Sequence, residues 1–238
     1  MELEKFSLEM KEKLNKINVQ IEETQLEKFY NYMNLLIEWN EKINLTAITE
    51  PKEIILKHFV DCITIVKHIP KEAQIVDVGT GAGFPGIPLN IMDDSSNYTL
   101  VDSLNKRINF LNEIINTLDL ENINAIHSRI EDFAKNNKED YDVATSRAVA
   151  SLNILLEYLL PLVKVGGICI CMKGSNVQEE VQNSKKALEV LGGKIESIEE
   201  IVLPDSDITR NIIIVRKIKN TPNKYPRKAG MASKDPII

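Results

Sequence analysis

The stretch that decides the fold is Ile75–Gly86, which reads IVDVGTGAGFPG. Its first four residues are apolar or β-branched apart from one Asp, a pattern typical of a short buried strand. Glycines at alternate positions then end the strand, and they let the backbone adopt positive φ and approach a ligand closely. Pro85 suits the first turn of a helix, because the N–H that it lacks would have no partner there. The stretch therefore predicts a strand, a glycine loop and a helix, an arrangement that binds nucleotides.

The spacing of the loop argues against two common nucleotide-binding motifs. A dinucleotide-binding loop has glycine at the sixth place, which is Phe84 when counted from Gly79. A phosphate-binding P-loop ends in Gly-Lys-Ser/Thr, which is not found here. The pattern Asp-x-Gly-x-Gly-x-Gly after a strand instead resembles the first motif of S-adenosylmethionine (SAM)-dependent methyltransferases. The structural alternative is an ordinary tight turn from a strand into a helix.

Length and composition are those of a soluble globular protein. The chain has 238 residues, 43% of them hydrophobic and 27% charged, which suits one large α/β domain with an appendage. No apolar run approaches the length of a membrane span, and the first residues, MELEKFSLEMKEK, carry charges from the outset. We therefore expect a cytoplasmic protein with no membrane partner.

The three cysteines are expected to lie in the core. Cys169 and Cys171 alternate within an apolar strand pattern, and Cys62 stands alone. A Cys-x-Cys pair can bind a metal, but the remaining candidate ligands are a single cysteine and scattered histidines at positions 58, 68 and 127. The sequence therefore predicts no metal site.

The charge is distributed unevenly. The formal net charge of −6 argues weakly against a nucleic-acid partner, yet residues 216–238 carry +6 and residues 1–215 carry −12. Seven Lys and Arg residues and no Asp or Glu fall between positions 216 and 234. An acidic body with a basic C-terminal tail (residues 219–238) is a local indication of RNA binding.

Residues 1–70 are predicted to form a helical extension that packs on the main domain. Apolar residues recur every three or four positions from Thr24 to Trp39, and Thr24 and Glu27 have the spacing of a capping box. A second helix is predicted to begin near Pro51. The polar and aromatic segment Trp39–Thr46 between them lacks helical periodicity.

Residues 71–218 are predicted to form one α/β domain, because strand and helix patterns alternate there. The predicted helices are 104–118, 130–135, 150–162 and 176–191. The predicted strands are 75–78, 98–102, 123–127, 141–145, 167–172, 194–202 and 210–217. The last two strands adjoin without a helix, so we expect a hairpin at one edge of the sheet. Seven strands with an antiparallel last strand resemble the class I SAM-dependent methyltransferase fold, a Rossmann-like and mostly parallel sheet.

Charged residues end several predicted strands, at the edge where doubly wound sheets bind ligands. Asp102 ends the second strand about twenty residues past the glycine loop, where an acidic residue accepts hydrogen bonds from ribose hydroxyls. A solvated carboxylate or a helix N-cap is the structural alternative. Arg147 follows the fourth strand and can hold a carboxylate or phosphate through two hydrogen bonds, or can form an internal ion pair. Lys173 ends the fifth strand at the same edge.

The third strand runs into His127–Asp132, where a backbone group and a carboxylate can meet an adenine edge. The same segment can equally be a helix start, with Glu131 and Asp132 favoured by the helix dipole.

The whole chain resembles the bacterial guanine-N7 methyltransferases of 16S ribosomal RNA, a family once called glucose-inhibited division protein B. The matching segments follow the family's order along the chain: Trp39-Asn40, Asn44–Thr46, His58–Asp61, Gly79–Pro88, Ser146–Ala148 and Lys224–Gly230. The departures are Ile130 where the family has Ala, and Ala232 and Ile237 where it has Pro and Leu.

The resemblance implies SAM as the cofactor and 16S rRNA or the small ribosomal subunit as the partner, with the protein acting as a monomer. It implies SAM contacts at Gly79, Phe84, Ile130, Glu131 and Arg147. The glycine loop and the end of the second strand add Gly81, Gly83 and Asp102.

The implied chemistry needs no general base. Guanine N7 has an in-plane lone pair and no proton, so catalysis rests on alignment, which can supply up to ~7–11 kcal/mol. The candidates to hold the guanine or the methyl donor are Asn44, His58, Asp61 and Arg147. His58 and Asp61, one turn apart on a predicted helix, can equally be a buried structural pair.

The basic tail is expected to be extended, because it contains three prolines, and to have little apolar content that could anchor it. A base can stack on Tyr225 while neighbouring cations meet phosphates. The expected RNA contacts are Lys173, Arg210, Lys224, Tyr225, Arg227 and Lys228. The structural alternative is a frayed, solvated end.

The alternative functions of the protein are methylation of a small molecule, and a role as a ribosome-assembly factor that binds SAM only as a structural ligand.

Overall fold

The structure is a computed structural model and describes residues 1–147, 150–175 and 177–238. Helices α1 (Leu3–Lys16) and α2 (Glu23–Ile43) come first. They are followed by α3 (Pro51–Ile54), a π-helical segment (Ile55–Val60), α4 (Asp61–Ile63) and a 3₁₀ turn (Val66–His68). The helix predicted near Pro51 begins at that residue, where the Glu50 carboxylate accepts a hydrogen bond from the Glu53 N–H at 2.9 Å.

The ends of α2 differ from the prediction. The capping box is formed by Glu22 and Gln25 rather than by Thr24 and Glu27, because Gln25 accepts a hydrogen bond from the Glu22 N–H while Glu22 accepts one from the backbone of Gln25. At the other end α2 continues past Trp39 to Ile43, and Asn44 ends it in a left-handed conformation with φ of 51°. Asn tolerates this conformation and can therefore end the helix there. The helix thus includes residues 39–43 of the segment that lacks apolar periodicity.

Seven strands form one sheet in the described part of the chain: β1 (Gln74–Val78), β2 (Asn97–Asp102), β3 (Ile123–His127), β4 (Tyr141–Arg147), β5 (Val163–Lys173), β6 (Gly193–Val202) and β7 (Thr209–Lys217). Their order in the sheet is β3-β2-β1-β4-β5-β7-β6. The first five strands run parallel to one another, and β7 runs antiparallel to both β5 and β6. The predicted fold class and edge hairpin are therefore confirmed.

Helices alternate with these strands: α5 (Gly86–Met92), α6 (Asn105–Thr117), α7 (Ile130–Asn136), α8 (Leu152–Leu159) with a 3₁₀ turn (Leu160–Leu162), α9 (Gln178–Asn183), α10 (Lys185–Leu191) and α11 (Met231–Lys234). The single helix predicted over 176–191 is two helices that meet at Ser184. The Ser184 hydroxyl donates to the Glu180 carbonyl at 2.6 Å, a bond that commonly bends helices. Residue 176, like Ala148 and Val149 after β4, lies outside the described residues.

The central strands β1 and β4 are buried on both faces of the sheet. Successive strand residues point to opposite sides, so each face packs against its own set of helices. On one side Leu100 joins a cluster formed by α1, α2, α5 and α6, so the helical extension shares a core with the α/β domain. On the other side Val76 and Val101 pack with α7, α8 and α10. Tyr225 and Ala232 of the tail belong to this second cluster and Ile237 packs against it, so the tail has more apolar anchoring than the little that the sequence predicts.

The cysteines are free and buried at positions 62, 169 and 171, which confirms that they are core residues. Across the described residues, no group of three or more His, Cys, Asp or Glu side chains is arranged to hold a metal ion. None of the helices found there combines the length and apolar character that a membrane crossing requires.

Candidate active site

The glycine loop leaves β1 with its three alternate glycines in positive φ. The φ angles are 67° at Gly79, 64° at Gly81 and 98° at Gly83. A Cβ at Gly83 would lie 2.5 Å from Ile87 Cδ1 and 2.8 Å from the Tyr32 hydroxyl, so a side chain does not fit there. A Cβ at Gly81 would meet its nearest atom, the Gly79 carbonyl oxygen, at 4.0 Å. Gly83 therefore packs the loop against the protein, whereas Gly81 faces open space.

The Asp77 carboxylate lies beneath the loop and is 1% exposed. Its Oδ2 accepts hydrogen bonds from the Thr80 hydroxyl at 2.7 Å and from the Gly86 N–H at 2.9 Å. Its Oδ1 is buried and has no hydrogen-bond partner in the described part of the chain. Burial raises the pKa of Asp77 from 3.8 to about 6. This carboxylate therefore ties the start of the loop to the start of α5.

Tyr32 of α2 supports the loop from the side of the helical extension. Its hydroxyl donates a hydrogen bond to the Ala82 carbonyl, and its ring stacks on Phe84 with the centroids 5.5 Å apart. Tyr32 is not among the predicted site residues, although it lies within the amphipathic helix predicted from Thr24 to Trp39. Its spacing marks it as a core position but does not identify the loop as its partner.

Two cavities meet at the C-terminal edge of β1 and β2, and both are bordered by Gly79, Asp102 and Ser103. The first cavity has a volume of about 350 Å³ and is also lined by Ile130, Glu131 and Tyr158. The second has a volume of about 440 Å³, and its other lining residues include Thr46, His58, Gly81, Phe84, Arg107 and Arg147. The structure therefore brings together the predicted SAM residues of the loop, β2, α7 and β4.

Asp102 lies where the two cavities join and is 3% exposed. Its Oδ2 accepts hydrogen bonds from the Gly81 N–H at 3.0 Å and from Arg107 Nη1 at 3.1 Å, and its Oδ1 accepts one from the Leu104 N–H at 2.9 Å. Asp102 thus orders both the glycine loop and the approach to α6. Arg107 was missed in the sequence, because the pairing depends on the turn between β2 and α6.

The π-helical segment places His58 beside Arg147, and the start of α4 places Asp61 there. Arg147 Nη2 lies 3.1 Å from His58 Nδ1, and Arg147 Nη1 donates to the Lys57 carbonyl at 3.1 Å and to Asp61 Oδ2 at 3.3 Å. Arg210 Nε donates to Asp61 Oδ1 at 3.2 Å from β7. Asp61, 2% exposed, is therefore shared by two guanidinium groups. Arg147 forms an internal ion pair and also borders the second cavity, so its binding of a ligand stays a prediction.

His58 is held as a neutral imidazole. Arginine only donates, so Nδ1 accepts from Arg147, and the ring proton lies on Nε2, 2.8 Å from the Thr46 hydroxyl. Burial first, and the charge of Arg147 second, lower the pKa of His58 to about 3. The imidazole stacks on Phe84 with the centroids 4.4 Å apart, and the guanidinium carbon of Arg147 lies 4.7 Å from the same ring.

Asn44 is not part of this cluster. It is exposed at the end of α2, and its left-handed backbone serves to terminate the helix. The neighbouring Asn40 and Thr46 take its place, since Asn40 Oδ1 accepts a hydrogen bond from the Thr46 N–H at 2.8 Å. The family motif around Asn44 therefore contributes Thr46, rather than Asn44, to the wall of the second cavity.

Several cations predicted to contact RNA are engaged within the protein. Lys173 is 8% exposed, donates to the Ala150 carbonyl at 2.7 Å and pairs with Glu180 at 2.6 Å. Arg210 pairs with Asp61, as described above. The strand ends point these side chains toward partners from other elements, so they are not free phosphate ligands.

The tail is likewise only partly available. Tyr225 is 9% exposed, too little to offer a face to a base, and Arg227 pairs with the buried carboxylate of Glu157 at 2.7 Å. Lys224 and Lys228 are exposed. The predicted stacking on Tyr225 and phosphate contact by Arg227 are therefore corrected, because the second apolar cluster and Glu157 hold both side chains.

The amino-acid sequence matches one family over most of its length. The model described as "GidB: rRNA small subunit methyltransferase G" matches residues 25–212. A protein of Clostridium tetani named ribosomal RNA small subunit methyltransferase G is 50% identical over 227 residues, which are 94% of this chain and 95% of the relative. The chain belongs to this family. A protein of the same name from Acetivibrio thermocellus is 54% identical over 222 residues, 92% of this chain and 91% of the relative.

Solved structures agree on the fold. TYW2 of M. jannaschii in complex with AdoMet gives a TM-score of 0.54 at 18% identity, covering 66% of this chain and 77% of that one. A SAM-dependent methyltransferase from Aquifex aeolicus gives a TM-score of 0.53 at 18% identity, covering 72% of this chain and 96% of that one. The α/β domain is thus a class I methyltransferase fold.

The chain is a SAM-dependent methyltransferase, and the residues around the cavities fit this cofactor. Gly81 faces open space, so the backbone there accepts a ligand that a Cβ would obstruct. The Asp102 carboxylate lies at the junction of the two cavities. This position suits the ribose of SAM, whose hydroxyls lie between the adenine and the methionine parts of the molecule. The predicted resemblance to the 16S rRNA methyltransferases is confirmed at the level of the family.

Proposed function

We propose that this protein methylates N7 of a guanine in 16S rRNA, with SAM as the methyl donor. The observation that carries the proposal is the state of His58, which is neutral and engaged through both ring nitrogens at the wall of the second cavity. A site without a free base suits an attacking atom that has no proton to lose. Family membership supplies the RNA substrate class.

We assign the first cavity and the glycine loop to the cofactor. SAM supplies an activated methyl group on a sulfonium. Asp102 would accept hydrogen bonds from its ribose hydroxyls, and Ile130 and Glu131 would meet the adenine edge. Gly79 and Gly81 would let the backbone approach closely. The fixed position of Asp102, which three donors hold, supports this assignment.

We assign the second cavity to the target guanine and to the part of the cofactor that lies along the glycine loop, so Phe84 and Arg147 remain proposed SAM contacts. Phe84, His58 and Arg147 form a layered group there, and Asp61 and the Lys57 carbonyl hold the guanidinium of Arg147 in place. Such a group is preorganised, so it can align the base without rearrangement at the moment of reaction. The proposed role of these residues is positioning.

We further infer that the protein acts as a cytoplasmic monomer on 16S rRNA or on the small ribosomal subunit. The support for the RNA or subunit partner is membership of the family of rRNA small subunit methyltransferase G. The exposed Lys224 and Lys228 remain the proposed RNA contacts of the tail.

The proposal is tested by turnover with labelled SAM on protein-free 16S rRNA, on small subunits and on a set of metabolites. Methyl transfer to RNA or subunits, recovered as N7-methylguanine and missing from the rRNA of a deletion strain, is the expected result. Transfer only to a metabolite would identify a small-molecule methyltransferase. SAM binding without any transfer would identify an assembly factor.

A further inference from the structure

The basic tail (residues 219–238) is anchored to the protein at several points. Thr221 is buried, its N–H donates to Glu139 at 2.9 Å, and its hydroxyl donates to the Leu191 carbonyl at 2.7 Å. Tyr225 and Ala232 then pack into the apolar cluster around α8. The tail therefore follows a defined path across the face that carries α8 and α10.

The strongest anchor is the pair between Arg227 and Glu157 of α8. Glu157 is 1% exposed and accepts from Arg227 Nε at 2.9 Å, from Arg227 Nη2 at 2.7 Å and from the Arg227 N–H at 3.1 Å. A bidentate arginine combined with a backbone donor satisfies a buried carboxylate well. Removing the arginine alone would leave that charge buried and unpaired. The pair fixes the tail just before Gly230.

Gly230 connects the tail to the cofactor cavity. Its N–H donates to Glu131 Oε1 at 2.8 Å, and Glu131 lines the first cavity. Its φ of 80° favours glycine, and a Cβ would meet no atom within 4 Å, so conformation and not space selects glycine here. Tyr158, the residue after Glu157, lines the same cavity. One anchor of the tail thus contacts Glu131 at the wall of the first cavity, and the other holds Glu157, the residue before Tyr158.

We propose that the tail is a positioning element of the SAM site. The Arg227–Glu157 pair holds Gly230, and the Gly230 N–H fixes the orientation of the Glu131 carboxylate at the cavity wall. Arg227 and Gly230 are positioning residues, since they act on the cofactor through Glu131. The inference rests on the proposed role of Glu131 in the cofactor site. It gives the basic tail a function in binding SAM that is independent of RNA.

The test compares SAM affinity and steady-state kinetics among full-length variants. Arg227→Ala risks unfolding, so the main variant is the double change Arg227→Met with Glu157→Gln, which removes the pair without leaving a buried charge. Gly230→Ala, strained at its positive φ, tests the second anchor, and Lys234→Ala is the control that removes another exposed cation of the tail. Glu131→Gln tests the group on which the tail is proposed to act.

We expect the double variant and Gly230→Ala to raise the Kd and the KM for SAM by about five- to twentyfold, because the indirect loss should be below that of a direct hydrogen bond to a charged group. Lys234→Ala should leave both constants unchanged, and kcat should stay within about twofold in all variants, since only cofactor binding is weakened. In a Glu131→Gln background the tail changes should add less than about twofold, because coupled residues are not additive.

Two results would overturn the inference, and they can be told apart. A folded double variant with unchanged SAM affinity, beside a weakened Glu131→Gln variant, would show that the tail anchor is only structural. Unchanged SAM affinity in Glu131→Gln would remove the role of Glu131 and the tail inference with it. Failure of the proposed function would instead appear in the wild-type protein, as SAM binding without methyl transfer to RNA.

Discussion

Asp102 combines two tasks in one side chain. It accepts hydrogen bonds from the Gly81 and Leu104 N–H groups, which order the glycine loop and the start of α6, and it borders both cavities. The ribose role and the capping alternative seen in the sequence are therefore compatible, since a carboxylate has several acceptor sites.

We expect Asp102→Ala to weaken SAM binding by about 1.5–3 kcal/mol, the value of a hydrogen bond to a charged group. Calorimetry on the folded variant measures the loss. Asp102→Asn, which keeps one acceptor oxygen, should lose less. Wild-type affinity in a folded Asp102→Ala protein would exclude the ribose role.

His58 gives a prediction about pH. Its pKa is lowered to about 3, so it stays neutral at any higher pH and cannot begin to act as a base near neutrality. We therefore expect the single-turnover rate to show no base titration between roughly pH 6 and 9. His68→Ala is the control, because His68 lies before β1, away from both cavities. A rate that rises tenfold per pH unit in wild type and His68→Ala, but is abolished in His58→Ala, would make His58 the base.

Asp77 makes stability depend on pH in the direction opposite to a paired carboxylate. Its folded-state pKa is about 6 and its ordinary value is 3.8. Between these values the folded protein keeps a proton that the unfolded chain has released, so stability falls as pH rises, and the loss is complete above the folded pKa. Asp77→Asn removes this charge and can still accept from Thr80 and Gly86. We expect it to gain about 1–3 kcal/mol at pH 8 and little near pH 4, measured by urea denaturation. Equal gains at both pH values would contradict the assigned pKa.

At the scale of elements, the helical extension contributes to the candidate site of the α/β domain. Helix α2 supports the glycine loop through Tyr32, the π-helical segment presents His58 to β4, and α4 presents Asp61 to β4 and β7. π-helical turns often occur at functional sites, because the wider turn shifts side chains from the positions that a regular helix would give them. The extension is therefore part of the site.

We expect Tyr32→Phe to destabilise the fold by about 1–3 kcal/mol, because the buried Ala82 carbonyl loses its donor. SAM affinity should also fall several-fold, since Ala82 lies in the loop that borders the second cavity. Tyr30→Phe is the matched control, because its hydroxyl donates to the Met1 carbonyl at 3.0 Å, away from the loop. If Tyr32→Phe lost no more SAM affinity than Tyr30→Phe, the loop would not depend on α2.

At the scale of the whole molecule, fewer cations are available near the C-terminus than the count between positions 216 and 234 suggests. Arg216 pairs with Glu196, Lys217 with Glu139, and Arg227 with Glu157. The exposed Lys224 and Lys228 flank the anchored Arg227. Non-specific attraction for RNA should therefore come from fewer groups than the seven cations between positions 216 and 234.

We expect the double change Lys224→Ala with Lys228→Ala to weaken RNA binding while SAM affinity stays unchanged. If each lysine neutralises one phosphate, the slope of log affinity against log salt should flatten by roughly 0.7–0.9 per residue. Lys71→Ala with Lys194→Ala is the control, since these exposed lysines lie before β1 and at the start of β6, at the edge opposite the cavities. Equal RNA affinity and salt slope in the two double variants would show that the tail lysines are only solvated.

The amino-acid sequence alone determined the strand, loop and helix at Ile75–Gly86, the run of alternating strands and helices, and the buried cysteines. Those features depend on neighbouring residues, because apolar periodicity and glycine placement act within a few positions of the chain. It also indicated Asp102, Glu131 and Arg147, since the C-terminal edge of a parallel sheet is fixed once its strands are known.

Only the tertiary structure decided which partners the charged and polar side chains take. Tyr32 reaches the glycine loop from fifty residues away in the chain, and Arg227 reaches Glu157 from seventy. Lys173 ends β5 and Arg210 lies at the start of β7, yet each turns to a buried or partly buried acid from another element. A charge pairs with the acceptor that folding brings within hydrogen-bond distance, and no local pattern encodes that distance because it is set by the packing of remote helices and strands.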